Sequence, residues 1–216
     1  MIRLGLRLAL NSGREAVVRL ILIAAAVALG VGLVLMCLAG ILAPDSGEIW
    51  FDGRRIDAMG EAERSALRRD QFGFVFQFGQ LVPELTAEEN IALPLLLAGS
   101  RRAAALERAR PWFGRLGLDG LEQRRSGELS GGQAQRVALA RGLVSGPRVL
   151  FADEPTGSLD SLAGELVMNL LTAAVRDQGT TVVLVTHEPR VAAYADREVI
   201  VRDGTVNSLA AGRVES

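Results

Sequence analysis

Leu129-Ser130-Gly131-Gly132-Gln133 and Val149-Leu150-Phe151-Ala152-Asp153-Glu154 are the two stretches that decide how this chain is read. In the first, Ser130 and Gln133 have the spacing of a capping box, so Ser130 is expected to open a helix running through Val137 and Ala140 to Leu143. Gly131 and Gly132 keep side chains out of its first turn, leaving backbone N–H groups and the positive end of the helix dipole open to an anion. A capped helix with no ligand would need the same residues. The second stretch is an unbroken apolar run ending in two carboxylates, the pattern of a strand buried on both faces of a parallel sheet. Thr181 to Val185 repeats that pattern, and Leu162, Leu166, Leu170 and Ala174 give the segment between them an apolar helical stripe. Strand, helix, strand implies a right-handed crossover.

Outward from this unit the punctuation stays regular. Pro44-Asp45-Ser46-Gly47 is turn chemistry, Glu48 to Phe51 alternates like a strand, and Asp52-Gly53 is a hairpin turn. Phe72 to Phe78 reads as a short aromatic strand reaching Gln77. Thr86 and Glu89 form a second capping box, which starts a helix at Ala87 that should bend near Pro94. Arg101 to Arg115 is a charged helical stretch.

With 216 residues, 49% of them hydrophobic, the chain can bury one substantial core plus an appendage. A net charge of -1 gives no reason to expect nucleic acid. Cys37 is the single cysteine, which excludes an internal disulfide framework or a thiolate metal set. All 24 basic residues are arginines and no lysine occurs. Guanidinium is planar and forked, so it does not stand in for a compact ammonium group in a tight loop.

Residues 20–43 are uncharged and almost entirely apolar, longer than the roughly 20 residues that cross a bilayer as a helix. Arg3, Arg7, Arg14 and Arg19 precede the run against one acid, Glu15, which would keep the N-terminus cytoplasmic. The run exceeds the roughly 7 to 15 residues of a signal-peptide core. A buried soluble helix is the alternative, and for Val34 to Leu42 it is the favoured one.

In order and spacing, these motifs resemble the ATPases of ABC transporters, over roughly residues 36–205. The resemblance implies an α/β P-loop-type parallel sheet with an inserted helical subdomain at about 80–145, and ATP and Mg2+ as cofactors. By similarity, Gln77 is the glutamine that touches magnesium and reports to the membrane subunit. Ser130, Gly131, Gly132 and Gln133 are the signature that grips ATP held by the opposite subunit. Asp153 is the carboxylate that orients magnesium, Glu154 the general base, Ser158-Leu159-Asp160 the loop facing the partner, and His187 the switch histidine near the γ-phosphate. Leu81 to Asn90 and Leu93 to Gly99 are similar to the macrolide-export and lipoprotein-release type. That resemblance implies a permease subunit, a second ATPase subunit and the cytoplasmic face of the membrane as surroundings, and no nucleic acid.

The departure is at the N-terminus. Counting back from Leu38-Ala39-Gly40-Ile41, the phosphate loop of such an enzyme should occupy Ala28 to Leu35. Val31 stands at the lysine's place, with Gly32 and Leu33 where two hydroxyls should be. Met1 to about Val34 resembles instead the first membrane segment of a permease, so the reading is a junction near Val34. It gives a membrane-like segment over 1–34, an ATPase domain over 35–207 and a tail over 208–216. The expected sheet is incomplete, lacking the strand before the phosphate loop and carrying an N-terminal apolar, transmembrane-like helix. Three outcomes stay open: an ATP-binding subunit rescued by a lysine-bearing partner, a non-catalytic half-site partner, or an inactive membrane-tethered remnant.

Overall fold

The computed structural model describes residues 20–25, 28–77, 80–157, 159–202 and 205–208. Its main sheet has six strands: β1 (Leu20–Ala25), β4 (Phe72–Val75), β5 (Val149–Asp153), β6 (Thr181–Val185), β7 (Arg197–Arg202) and β8 (Thr205–Ser208). They lie in the order β4-β5-β6-β1-β7-β8. All neighbours run parallel except β7 and β8, which form an antiparallel pair at one edge. A separate small hairpin joins β2 (Trp50–Phe51) to β3 (Arg54–Arg55). Its turn residues Asp52 and Gly53 both have positive φ, as a two-residue hairpin loop requires.

Two expectations are corrected here. The apolar run 20–43 is not one long helix: Leu20–Ala25 is strand β1, and Ala28–Leu38 is the 11-residue helix α1. Among the described residues no helix is long and apolar enough to cross a membrane. Nor does the sheet lack its inner strand, because β1 lies between β6 and β7, with Leu20 opposite Val182 and Ile21 opposite Arg197. A short run of unbroken apolar residues suits a strand flanked on both sides, where every backbone group finds a ladder partner. Of the buried helix expected over Val34 to Leu42, the part to Leu38 is helical, with Val34, Leu35, Leu38 and the following Ala39 buried in the core, while Ile41 and Leu42 lie beyond the helix and are exposed. The arginines at 3, 7, 14 and 19, with Glu15, lie outside the described residues, as does the tail from 209.

Strand alternation divides the core in two. Val149, Phe151, Val183, Val185 and Val199 point to the face covered by α1, the β2–β3 hairpin and α2 (Glu61–Gln71). Phe72 packs edge-on against Phe51 and Phe151 there, with ring centroids 5.1 and 5.2 Å apart, a favoured aromatic geometry. Leu150, Ala152, Val182 and Leu184 point to the other face, beneath the remaining main helices. These are α3 (Ala87–Leu97), α4 (Arg102–Ala109), α5 (Pro111–Leu116), α6 (Gly131–Leu143) and α7 (Ser161–Gln178); a short α8 (Pro189–Ala192) follows β6.

Both capping boxes are present, at Thr86 with Glu89 and at Ser130 with Gln133. Helix α3 runs through Pro94 to Leu97, and the charged stretch divides in two at Pro111. The stripe expected on α7 is rotated: Val167, Met168, Leu171, Ala174 and Val175 are the buried positions, while Leu162 is 81% exposed. A strict four-residue repeat drifts around a helix of 3.6 residues per turn, so contact must alternate steps of three and four.

A buried polar cluster ties the loop before α3 to that helix. Asn90 is fully buried, and its side chain accepts from Val82 N–H at 2.8 Å and donates to the carbonyls of Val82 (3.1 Å), Leu85 (3.3 Å) and Thr86 (3.0 Å). Glu88, 5% exposed, accepts from Gln123 at 2.6 Å and Arg110 at 3.2 Å. These bonds meet the rule that buried polar groups find partners.

Candidate functional site

The C-terminal ends of β4, β5 and β6 bring four of the expected residues into one place: Gln77, Asp153, Glu154 and His187. Strand β5 ends at Asp153, and Glu154 then turns out of the sheet with φ at 45°. Its N–H still donates to the carbonyl of Val185 at 2.9 Å, so the turn is anchored to β6. Directly after β6 come Thr186 and His187. Thr186 Oγ1 donates to one carboxylate oxygen of Glu154 at 3.0 Å. The backbone N–H of His187, at 2.9 Å, and its ring Nδ1, at 2.7 Å, meet the other. An ionised carboxylate only accepts, so the ring proton sits on Nδ1.

Charge follows this geometry. The hydrogen bond and negative charge of Glu154, with a smaller effect from Glu188, raise the imidazole of His187 above its ordinary value. Burial, and then the charge of Glu154, raise the Asp153 carboxyl. A neighbouring cation would relieve that penalty. In an NMR titration His187 should therefore stay protonated to higher pH than a free imidazole, and Glu154→Gln should move its midpoint back down. With its folded pKa raised, the pair stabilises the fold at pH below the unfolded histidine value and loses that contribution as pH rises through the folded value. Because the His187 side chain is 70% exposed, solvent weakens the effect on stability.

Gln77 closes this cluster. A Cβ placed on Gly157 would lie 3.5 Å from Glu154 Cβ and 3.8 Å from Gln77 Nε2, so the amide of Gln77 rests beside the turn that follows Glu154. Among the described residues no three His, Cys, Asp or Glu side chains converge to hold a metal by themselves.

A second group forms around the head of α6. Ser130 accepts from the N–H of Gln133 at 3.3 Å, while Gln133 Oε1 accepts from the N–H of Ser130 at 2.8 Å. Nothing lies within 4 Å of a Cβ built on Gly131, and one on Gly132 would touch only Leu159 Cδ2, at 3.4 Å. The exposed turn thus sits beside the segment leading to Asp160, which caps α7 by accepting from Ala163 N–H at 2.9 Å. Ser158 lies outside the described residues.

Sequence reasoning missed Gln135. It is 1% exposed, and its Nε2 donates to the carbonyl of Phe76 at 3.1 Å and to that of Pro155 at 3.2 Å. A signal was available: Gln135 shares the apolar face of α6 with Ala138 and Leu139, and a polar residue on such a face implies a bonded amide.

The phosphate side of a nucleotide site is different. Strand β1 ends at Ala25 and helix α1 begins at Ala28, which leaves two positions between them. No lysine occurs in the chain to serve a phosphate loop there. The exposed turn at Ser130 does fit an anion brought from outside.

The profile of the family described as ABC transporter matches residues 29–157. The lipoprotein-releasing system ATP-binding protein LolD of Granulibacter bethesdensis is 43% identical over 173 residues, 80% of this chain and 76% of that protein. The macrolide export ATP-binding/permease protein MacB of Photorhabdus laumondii is 46% identical over 76% of this chain, and the chain spans only 25% of that longer protein. The probable syringafactin export ATP-binding/permease protein SyfD of Pseudomonas syringae is likewise covered over 25% of its length, at 45% identity. Among solved structures, the dimeric post-hydrolysis state of the ATP-binding cassette MJ0796 bound to ADP and Pi superposes with a TM-score of 0.84. It shares 34% identity over 90% of this chain and 86% of that one. With more than half its length in the family profile and such relatives along most of the rest, the chain belongs to the ABC transporter family, as an ATP-binding domain of the LolD and MacB type.

Proposed function

We propose that this chain is the ATP-binding protein of a lipoprotein-release or macrolide-export type transporter that cannot hydrolyse ATP alone and works as one half of a pair. The observation that carries this reading is the absence of lysine from the chain, with Val31, Gly32 and Leu33 at the positions of the lysine and the two hydroxyls. Phosphoryl transfer is catalysed mostly by positioning and electrostatics, and without a cradle there is little to position.

In this reading Ser130, Gly131, Gly132 and Gln133 contact the phosphates of ATP held by a complete subunit, and Asp160 faces the same interface. Asp153 and Gln77 are the magnesium side of this chain's own half-site, with Glu154 and His187 as its hydrolytic pair. That half-site stays idle for want of phosphates. ATP with Mg2+ is then the cofactor of the pair rather than of the single chain. The remaining partner is a permease subunit, with the ATPase domain on the cytoplasmic face of the membrane. The relatives' names support this setting, and the open turn at Gly131 supports the part assigned to the signature.

The test mixes the purified chain with a complete ATPase subunit whose own signature serine is mutated, and follows phosphate release. Hydrolysis should appear only in the mixture and vanish with Ser130→Arg in this chain. A mixture no faster than the mutated subunit alone would mean that the signature is inherited but idle.

A further inference from the structure

We propose that Gln135 is a positioning residue that locks the signature turn to the two loops bearing Gln77 and Glu154. Three observations converge on it. Its amide donates both protons to main-chain carbonyls, one from Phe76, directly before Gln77, and one from Pro155, directly after Glu154. Since both partners can only accept, the amide orientation is fixed, and rotating it would set oxygen against oxygen at both contacts. The residue lies in the second turn of α6, whose N-cap is Ser130, so it joins the start of the signature helix to the C-terminal ends of β4 and β5.

The same helix has a second point of attachment. Backbone meets backbone where Gly142 of α6 crosses β4: a Cβ on Gly142 would come within 2.9 Å of Phe74 O. A helix held at one point can pivot, and one held at two moves with the strand. Gln135 therefore makes α6, the loop after β4 and the turn after β5 a single mechanical unit. A displacement felt at Ser130 shifts the carbonyls beside Gln77 and Glu154 with it. Gln135 touches no nucleotide in this scheme. Its Oε1 is a buried acceptor without a partner among the described residues, so burial alone does not explain why an amide rather than a methionine or leucine stands here.

Two readouts test this, and only the second rests on the half-site reading above. In amide hydrogen exchange of the purified chain, Gln135→Met keeps the volume but removes both donors. Exchange at 76–77, 130–135 and 156–157 should accelerate together by about tenfold, while α3 and β6 keep their rates. Acceleration confined to α6, or none, would overturn the proposal, and acceleration everywhere would reduce Gln135 to a stability residue. If Gln135→Met does not fold, Gln135→His keeps one ring N–H and should show the same three-segment pattern at smaller size. In the mixed hydrolysis assay, Gln135→Met should lower kcat about tenfold with KM for MgATP changed less than about twofold. An inactive wild-type mixture defeats the half-site reading and leaves the exchange result to decide the role of Gln135.

Discussion

Gly73→Ala should destabilise the fold by at least about 3 kcal/mol, at the upper end of the overpacking range. The added Cβ would lie 2.1 Å from the carbonyl oxygen of Gly142 and 2.8 Å from Leu150 Cδ1. The first obstacle is backbone, so no rotamer change relieves it, and α6 must lift off β4. For a domain whose whole stability is of order 5–15 kcal/mol, that is a large part. The denaturant midpoint measures it, with an unchanged slope showing that the transition stays two-state. Gly114→Ala in α5 is the control. The nearest atom to its Cβ is Asp119 Oδ1 at 3.5 Å, so only helix propensity changes, and stability should rise by a few tenths to about 1 kcal/mol.

The second large effect concerns the nucleotide. Titrated alone with a fluorescent ATP analogue and magnesium, the chain should bind more than about a thousandfold more weakly than a complete ATPase of its family. Hydrogen bonds to charged groups contribute about 1.5–3 kcal/mol each, so a missing lysine together with the hydroxyls that Gly32 and Leu33 lack removes on the order of 5 kcal/mol. Fluorescence anisotropy would report it directly. Tight binding by the chain alone would refute the placement of Val31 where the lysine should be.

The parts of the fold legible in the sequence are those whose signals are local. Ser130 with Gln133, and Thr86 with Glu89, mark helix starts because a capping box is complete within four residues. Strands β5 and β6 show as apolar runs because polar residues bound them. Strand β1 has no such boundary. The apolar sequence of Leu20–Ala25 continues without a polar break to Leu38, and periodicity cannot separate a strand flanked on both sides from the start of an apolar helix. Its partners, Val182 and Arg197, stand at the far end of the chain. The site divides in the same way. Asp153, Glu154 and His187 follow from motif order, whereas the bridge from Gln135 to Phe76 and Pro155 depends on three segments meeting in space.

The position of β1 also sets the order in which the protein can be made. Its residues are translated well before its neighbours, since the strands on either side of it end at Val185 and Arg202. At about 5–20 residues per second, an uncharged Leu-Ile-Leu-Ile segment waits roughly 10–35 s for its second neighbour to leave the ribosome. Local helices such as α3 and α6 can form during that interval, but the centre of the sheet cannot close until β7 has been made. High contact order of this kind makes folding slow, and a waiting apolar strand is where aggregation starts. Yield in the cell should accordingly depend on chaperones that hold the nascent β1 segment.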